Sequence, residues 1–394
     1  MNATLVSKLA AAIQSSDPVS GLTHDFYRYP ARFSPIFART AIQAFTKPND
    51  TVLDPFMGGG TTLVEARSLG RHAIGTDISS LARFIATVKT TALTDHELKR
   101  VLRWAPIVVS GLSPVLRGQR HVDWLAAGYQ KDVPWRLRKM IEQGLDALQL
   151  LPTRQRTFAR CAILRTSQWA MDCRDHFPSA EEYRGQFLAS VSSMVDGMRE
   201  FTERAAEHGP ASVQVYEKPA ESISSIRSDR LQRRAVNLVL TSPPYAGIHV
   251  LYHRWQVRGR RETAAPFWIA NCLDGHGESH YTFGSRKRPN EIYFQQLCDA
   301  FVAIRQVVAD DAWIVQLVGF ADARHQLPKY LDVMRQAGFS QVEMGERENS
   351  ELSGSVWRQV PNRKWYAKYR DVVGQASEVL LIHRPSRSSI RHLH

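Results

Sequence analysis

The sequence predicts an α/β protein built on a doubly wound sheet, and three observations carry that expectation. Short apolar runs of strand length recur along the chain, each followed by residues at helical spacing. The first such run ends in Asp54 and opens into Gly58-Gly59-Gly60, the strand, glycine turn and helix order that begins a nucleotide-binding unit. A later run, Ala235 to Leu240, is continuously apolar, as parallel strands covered on both faces are.

Taken in order, Thr51-Val52-Leu53 is a strand running into Asp54-Pro55, and a helix follows the glycines from Thr61 to Leu69. The next strand, His72 to Gly75, runs into Asp77, after which Ile78, Leu81, Ala82, Ile85 and Ala86 share one helical face. From about Thr94 to Gly209 the chain is rich in Leu, Ala, Arg and Glu and poor in strand signals, so a helical insertion is expected at 94–210. The strand Ala235 to Leu240 ends at Thr241-Ser242-Pro243-Pro244-Tyr245. The arginine- and aromatic-rich segment after it, 246–298, reads as a loop or excursion, too polar and glycine-rich for a core element. Ala312 to Val318 is a further buried strand, Leu327, Tyr330, Leu331 and Met334 mark a helix, and a strand pair near Gln341–Met344 and Glu378–His383 closes the alternation. The catalytic domain is thus expected at 20–93 and 211–385.

The 394 residues carry 51 Lys and Arg against 38 Asp and Glu, a net charge of +13, which suits a partner made of phosphates. The excess is mostly arginine, whose planar fork grips phosphates and guanine edges. No apolar run approaches a membrane span, and Met1 to Ser20 lacks the pattern of a signal peptide. A soluble, cytoplasmic protein without membrane association is expected. The four cysteines are scattered, and the spacing of Cys272, Asp274, His276 and His280 matches no zinc pattern, so no metal is assigned.

The glycine turn is neither the dinucleotide GxGxxG nor a P-loop, since no Gly-Lys-Ser/Thr follows, which disfavours an ATPase. Over its nine residues, Asp54-Pro55-Phe56-Met57-Gly58-Gly59-Gly60-Thr61-Thr62 resembles the cofactor motif of the amino-methylating DNA methyltransferases. The resemblance implies a Rossmann-like S-adenosylmethionine-dependent sheet, with S-adenosylmethionine held by Asp54, Phe56, Gly58, Gly60, Thr61 and Thr62. Asp77, 77 − 54 = 23 positions after Asp54, stands where such folds bind a ribose diol. About 20 residues upstream, Tyr29-Pro30-Ala31-Arg32-Phe33 is similar to the Tyr-Pro-Ala-Lys/Arg-Phe element of these enzymes, which adds Tyr29, Ala31 and Phe33 to the expected cofactor site.

An exocyclic base amine is a poor nucleophile because its lone pair is delocalised into the ring. Acceptors on both N–H bonds pull the nitrogen toward tetrahedral geometry and free that pair, so preorganised oxygens matter more than base strength. The Ser242 hydroxyl and the Pro243 carbonyl are such acceptors, Pro243 and Pro244 stiffen the loop, and Tyr245 offers a ring for stacking a flipped base. Ser242-Pro243-Pro244-Tyr245 resembles the catalytic motif of cytosine-N4 methyltransferases; adenine-N6 enzymes more often begin it with Asp or Asn. Cytosine-C5 chemistry needs a cysteine nucleophile beside a proline, and no Pro-Cys occurs. Here the cofactor motif precedes the catalytic one by about 185 residues, the reverse of many cytosine-N4 enzymes, which leaves target recognition to 94–210, to 246–298 or to both. Tyr252, His253, Arg254, Arg258, Arg260 and Arg261 mix cations with aromatics and are expected on DNA. The expected function is site-specific cytosine-N4 methylation of duplex DNA by base flipping, in restriction-modification or epigenetic marking, with a cognate restriction endonuclease as a further partner. The alternatives are adenine-N6 methylation, methylation of a structural RNA base, and a catalytically silent DNA-binding subunit. In a prokaryotic cytoplasm the chain would be nucleoid-associated when bound to DNA.

Overall fold

The computed structural model describes residues 1, 3–15, 17, 19–30, 34–115, 122–246, 254–259, 261–274, 290–320, 322–344, 356–359 and 377–386. Ten strands lie among them: β1 Thr51–Asp54, β2 His72–Asp77, β3 Val213–Glu217, β4 Val236–Thr241, β5 Trp255–Val257, β6 Arg261–Thr263, β7 Val308–Gly319, β8 Phe339–Gln341, β9 Val356–Gln359 and β10 Ser377–Pro385. The main sheet runs β3-β2-β1-β4-β7-β10-β8, parallel from β3 to β7, with β10 antiparallel to its neighbours. β9 extends the same edge of β10 that β8 occupies, pairing Val356–Gln359 with Ser377–Leu380. The strand order reverses between β1 and β4, so the crevice at their carboxyl ends is where an open α/β sheet takes a ligand. The expected α/β sheet is therefore present.

Successive side chains point to opposite faces of a strand, and the two faces bury two cores. Val52, Ala73, Leu238, Leu240, Val315 and Leu317 pack with helices Ala3–Gln14, Pro35–Phe45 and Thr61–Ser68. Leu53, Ile74, Val239, Ile314 and Val318 face helices Asn290–Val307 and Ala323–Gln336. Because both faces are covered, the strands read as unbroken apolar runs rather than alternating ones.

A third core belongs to the insertion. Helices Asp95–Gly111, Trp135–Asp146, Thr153–Met171 and Ala180–Glu207 form it, the first and last started by capping boxes, Thr94 with Glu97 and Ser179 with Glu182. Two expectations are corrected here. Residues 254–274 are not a loose excursion: β5 and β6 form a hairpin, and helix Ala265–Ala270, with Phe267 and Trp268 at 1% exposure or less, is buried in the insertion's core. The polar composition of 246–298 as a whole masks a short apolar stretch, Ala264 to Ala270, that packs on Thr153–Met171. The strand expected at Gln341–Met344 lies earlier, at Phe339–Gln341, where residues 339–341 pair with the end of β10. Helices Ala3–Gln14, Pro35–Phe45 and Asn290–Val307 and strands β3 and β9 add to the elements expected. Among the described residues no helix is long and apolar enough to cross a membrane.

Candidate active site at the carboxyl edge of the sheet

The glycine turn folds because three positions cannot bear a side chain. Gly58 and Gly60 have φ of +46° and +76°, the left-handed region that glycine enters without cost. A Cβ on Gly59 would come within 2.8 Å of Cβ of Tyr29 and one on Gly60 within 3.0 Å of Cβ of Ala86. Tyr29, 5% exposed, therefore supports the turn from beneath. The buried Lys89 donates from Nζ to the Gly59 carbonyl at 3.0 Å. The sequence reading passed over Lys89; its signal was a cation in register with Leu81 and Ile85 on an apolar helix face.

Asp77 closes the turn: its carboxylate accepts the Gly58 amide at 2.9 Å through one oxygen and the Ser79 amide at 2.9 Å through the other. Burial outweighs these bonds and pushes its carboxyl up to about 6. Asp77 remains half-buried, with Phe56 and Ile78 half-buried beside it.

Asp54 and Thr62, both expected at the cofactor, are buried. Asp54 is 2% exposed and Thr62 1%. The Thr62 hydroxyl donates to one Asp54 oxygen at 2.7 Å, and the Thr241 hydroxyl donates to the other, also at 2.7 Å. Burial pushes Asp54 up to about 6 against these bonds. Thr61, 6% exposed, starts the helix beside it. Ala31 and Phe33 lie outside the described residues.

The loop from Thr241 to Ala246 is tied down along its length. Thr241 is held by Asp54, the Pro244 carbonyl accepts the Tyr293 hydroxyl at 2.9 Å, and Ala246 bridges to Phe320. Pro243 is buried and Ser242 half-buried. Tyr245, expected to stack a flipped base, is 8% exposed and lies on Gly319, where a Cβ would reach within 2.6 Å of Cδ2. Its hydroxyl donates to Glu378 Oε1 at 2.7 Å and stands 2.9 Å from the Ser242 hydroxyl. Glu378 in turn receives Arg358, Nε at 2.6 Å and Nη2 at 2.5 Å, both on Oε2. Neither Glu378 nor Arg358 carries a local sequence signal; β10 and β9 bring them to the loop.

Of the six residues expected on DNA, Tyr252, His253 and Arg260 lie outside the described residues. Arg254 pairs with Asp274 at 3.3 Å. Arg258 is exposed with its guanidinium 4.9 Å from the Phe177 ring centre, and Arg261 is 64% exposed near Asp132. Trp255, in the same run, is 2% exposed and donates to the Tyr27 hydroxyl at 2.8 Å, so it is core and not a stacking platform. Trp169 and Asp172 are half-buried, with the exposed Arg174 4.9 Å from the Trp169 ring centre and Asp172 paired to Arg28. Among the described residues no three His, Cys, Asp or Glu side chains gather as a metal site.

Residues 12–86 match a family model described as DNA methylase. The type II methyltransferase M.MvaI of Kocuria varians is 35% identical over 109 residues, 25% of this chain and 24% of that protein. The type II methyltransferase M.MjaII of Methanocaldococcus jannaschii is 35% identical over 79 residues, 20% of this chain and 15% of that protein. The chain thus matches about a quarter or less of the length of these curated relatives. The rRNA methyltransferase aviRa from Streptomyces viridochromogenes superposes on 97% of this chain and 93% of its own, at 12% identity and a TM-score of 0.34, too distant to add to the sheet order. The matched residues hold the glycine turn, Asp54 and Asp77, so the similarity to DNA methylases falls on the segment expected to hold the cofactor.

Proposed function

We propose that this chain transfers a methyl group from S-adenosylmethionine directly to an exocyclic amine of a duplex DNA base, with cytosine N4 as the target. The observation that carries this is the Asp54 clasp. Thr62, at the start of the helix after the glycine turn, and Thr241, next to Ser242, are held at 2.7 Å by the two oxygens of one carboxylate. Donor and acceptor sites are thereby fixed to each other, and direct transfer between bound groups depends on such fixed geometry.

The residues at the end of β2 fit the nucleoside of the cofactor. Asp77 accepts backbone amides on both oxygens and, being half-buried, can still take a ribose hydroxyl, while the half-buried Phe56 and Ile78 offer apolar surface in the same two turns. When bound, S-adenosylmethionine supplies a methyl group on an electrophilic sulfonium. The chain's own part lies in Ser242 and Pro243, which accept the two amine hydrogens and localise the nitrogen lone pair. Serine in the first place of the motif favours cytosine, in keeping with the resemblance noted above. The exposed Arg258 and Arg261, on the hairpin that follows the loop, suit phosphate contacts, and the +13 charge suits a polyanion.

Labelled methyl transfer from S-adenosylmethionine to duplex DNA and to total RNA tests this reading. Transfer to DNA is expected, with Ser242→Ala lowering it about 100-fold or more while cofactor affinity holds. Transfer to RNA alone, or undiminished transfer by Ser242→Ala, contradicts it.

A further inference from the structure

We propose that the Arg358–Glu378 pair is a positioning device that fixes which way the hydroxyl protons of the catalytic loop point, and so makes Ser242 an acceptor. The inference rests on the amine-methylating reading above and deepens it.

Ser242 is useful to an amine only as an acceptor, yet a serine hydroxyl is both donor and acceptor and rotates freely. In the structure the Tyr245 hydroxyl has one hydrogen, and it goes to Glu378 Oε1 at 2.7 Å. The contact of 2.9 Å between Ser242 Oγ and Tyr245 Oη must then take its hydrogen from Ser242. The chain of donation runs Ser242 to Tyr245 to Glu378, and it leaves the Ser242 lone pairs facing outward.

Arg358 fixes the far end. Its Nε and Nη2 both donate to Glu378 Oε2, at 2.6 and 2.5 Å, while Nη1 donates to the Ile13 carbonyl at 3.0 Å. With Oε2 taken, Oε1 is left to accept from Tyr245. Both partners are buried, so water does not compete for the orientation. Gly319, opposite Glu378 in the β7–β10 ladder, has no side chain and admits the Tyr245 ring between loop and strand. The same chain gives the amine proton a path once nitrogen has bonded to carbon. That proton passes to Ser242 Oγ as the serine proton passes to Tyr245 and the tyrosine proton to Glu378, leaving a neutral amine and a neutral carboxylic acid; once product has left, the same relay run backwards returns the proton to solvent at the half-buried Ser242.

Glu378→Gln tests the device because it reverses it. Arg358 continues to hold the carbonyl in the place of Oε2, so the amide NH2 faces Tyr245 and donates; Tyr245 then donates to Ser242, and Ser242 points its proton outward. Two readouts follow. Single-turnover methyl transfer at saturating DNA is expected to fall about 100-fold in Glu378→Gln, with cofactor affinity within about twofold. In the Ser242→Ala background the same change is expected to add nothing, since there is no serine left to orient. Binding supplies the second, activity-free readout. With duplexes carrying the mapped methylation site, wild type should prefer cytosine at the target over uracil, which presents a carbonyl in place of the amine, and Glu378→Gln should lose or invert that preference.

Tyr245→Phe, which cuts the chain while keeping the Arg358–Glu378 pair intact, should also slow transfer and erase the preference. An additive loss in the double variant, or an unchanged base preference in Glu378→Gln, overturns the device while leaving the methyltransferase reading in place. Absence of any transfer to DNA by wild type overturns both.

Discussion

Two buried carboxylates stand behind the two halves of the site, and they are satisfied in opposite ways. Asp54 accepts from the Thr62 and Thr241 hydroxyls and the Phe56 amide, all neutral donors, so burial prevails and its carboxyl rises to about 6. Glu378 accepts from the Tyr245 hydroxyl on one side and from the Arg358 guanidinium on the other. A carboxylate among hydroxyls is a clasp: it fixes distance, and each hydroxyl can turn if the carboxyl is neutralised. A carboxylate held by a guanidinium is an anchor with direction. The contrast separates holding the two sites together, which Asp54 does, from setting the polarity of the acceptor, which the pair on β9 and β10 does.

The largest expected effect comes from removing the counter-charge. Arg358→Met leaves Glu378 buried without its cation, and a cost of about 3–5 kcal/mol is expected in denaturant unfolding. The equivalent change at the clasp should behave differently, and pH exposes it. The folded Asp54 carboxyl at about 6 lies above its ordinary 3.8, so between about pH 4 and 6 the folded chain keeps a proton that the unfolded chain has lost. Stability from this group therefore falls as pH rises through that window and is flat above it, by up to about 3 kcal/mol. Asp54→Asn removes that slope, so its stability relative to wild type should climb from pH 4 to 6 and then level off.

Two glycines sharpen the same division. Gly319→Ala places a Cβ 2.6 Å from the Tyr245 ring, and turnover should drop about tenfold with cofactor affinity unchanged. Gly59→Ala places one 2.8 Å from Tyr29 and should weaken cofactor binding first. The smallest effect belongs to Asp77. A ribose diol is best bound by the ionised carboxylate, whose carboxyl is pushed up to about 6, so cofactor affinity should weaken by up to about tenfold between pH 6 and pH 5. Asp77→Asn should abolish that dependence in a titration of cofactor binding.

What the sequence made legible follows from how local each feature is. The glycine turn, Asp77 and the loop from Thr241 to Tyr245 each sit within a short stretch beside a continuously apolar strand, so strand pattern and motif resemblance together single them out. A motif names residues and not the side they face; only the sheet brings Thr241 to the carboxylate that also holds Thr62. Glu378 lies 133 positions from Tyr245, and Arg358 reaches it only because β9 pairs with β10. No periodicity carries a contact of that range. The helix Ala265–Ala270 was hidden by its polar neighbours, and Trp255 by its arginines, since composition averages over a segment whose alternate residues turn inward.

Nucleoside mass spectrometry of DNA from cells expressing the chain tests the central claim most directly. The account predicts N4-methylcytosine in wild-type cultures and its loss with Ser242→Ala at equal protein level. DNA with no methylated exocyclic amine, or with an unchanged level in the Ser242→Ala culture, contradicts it.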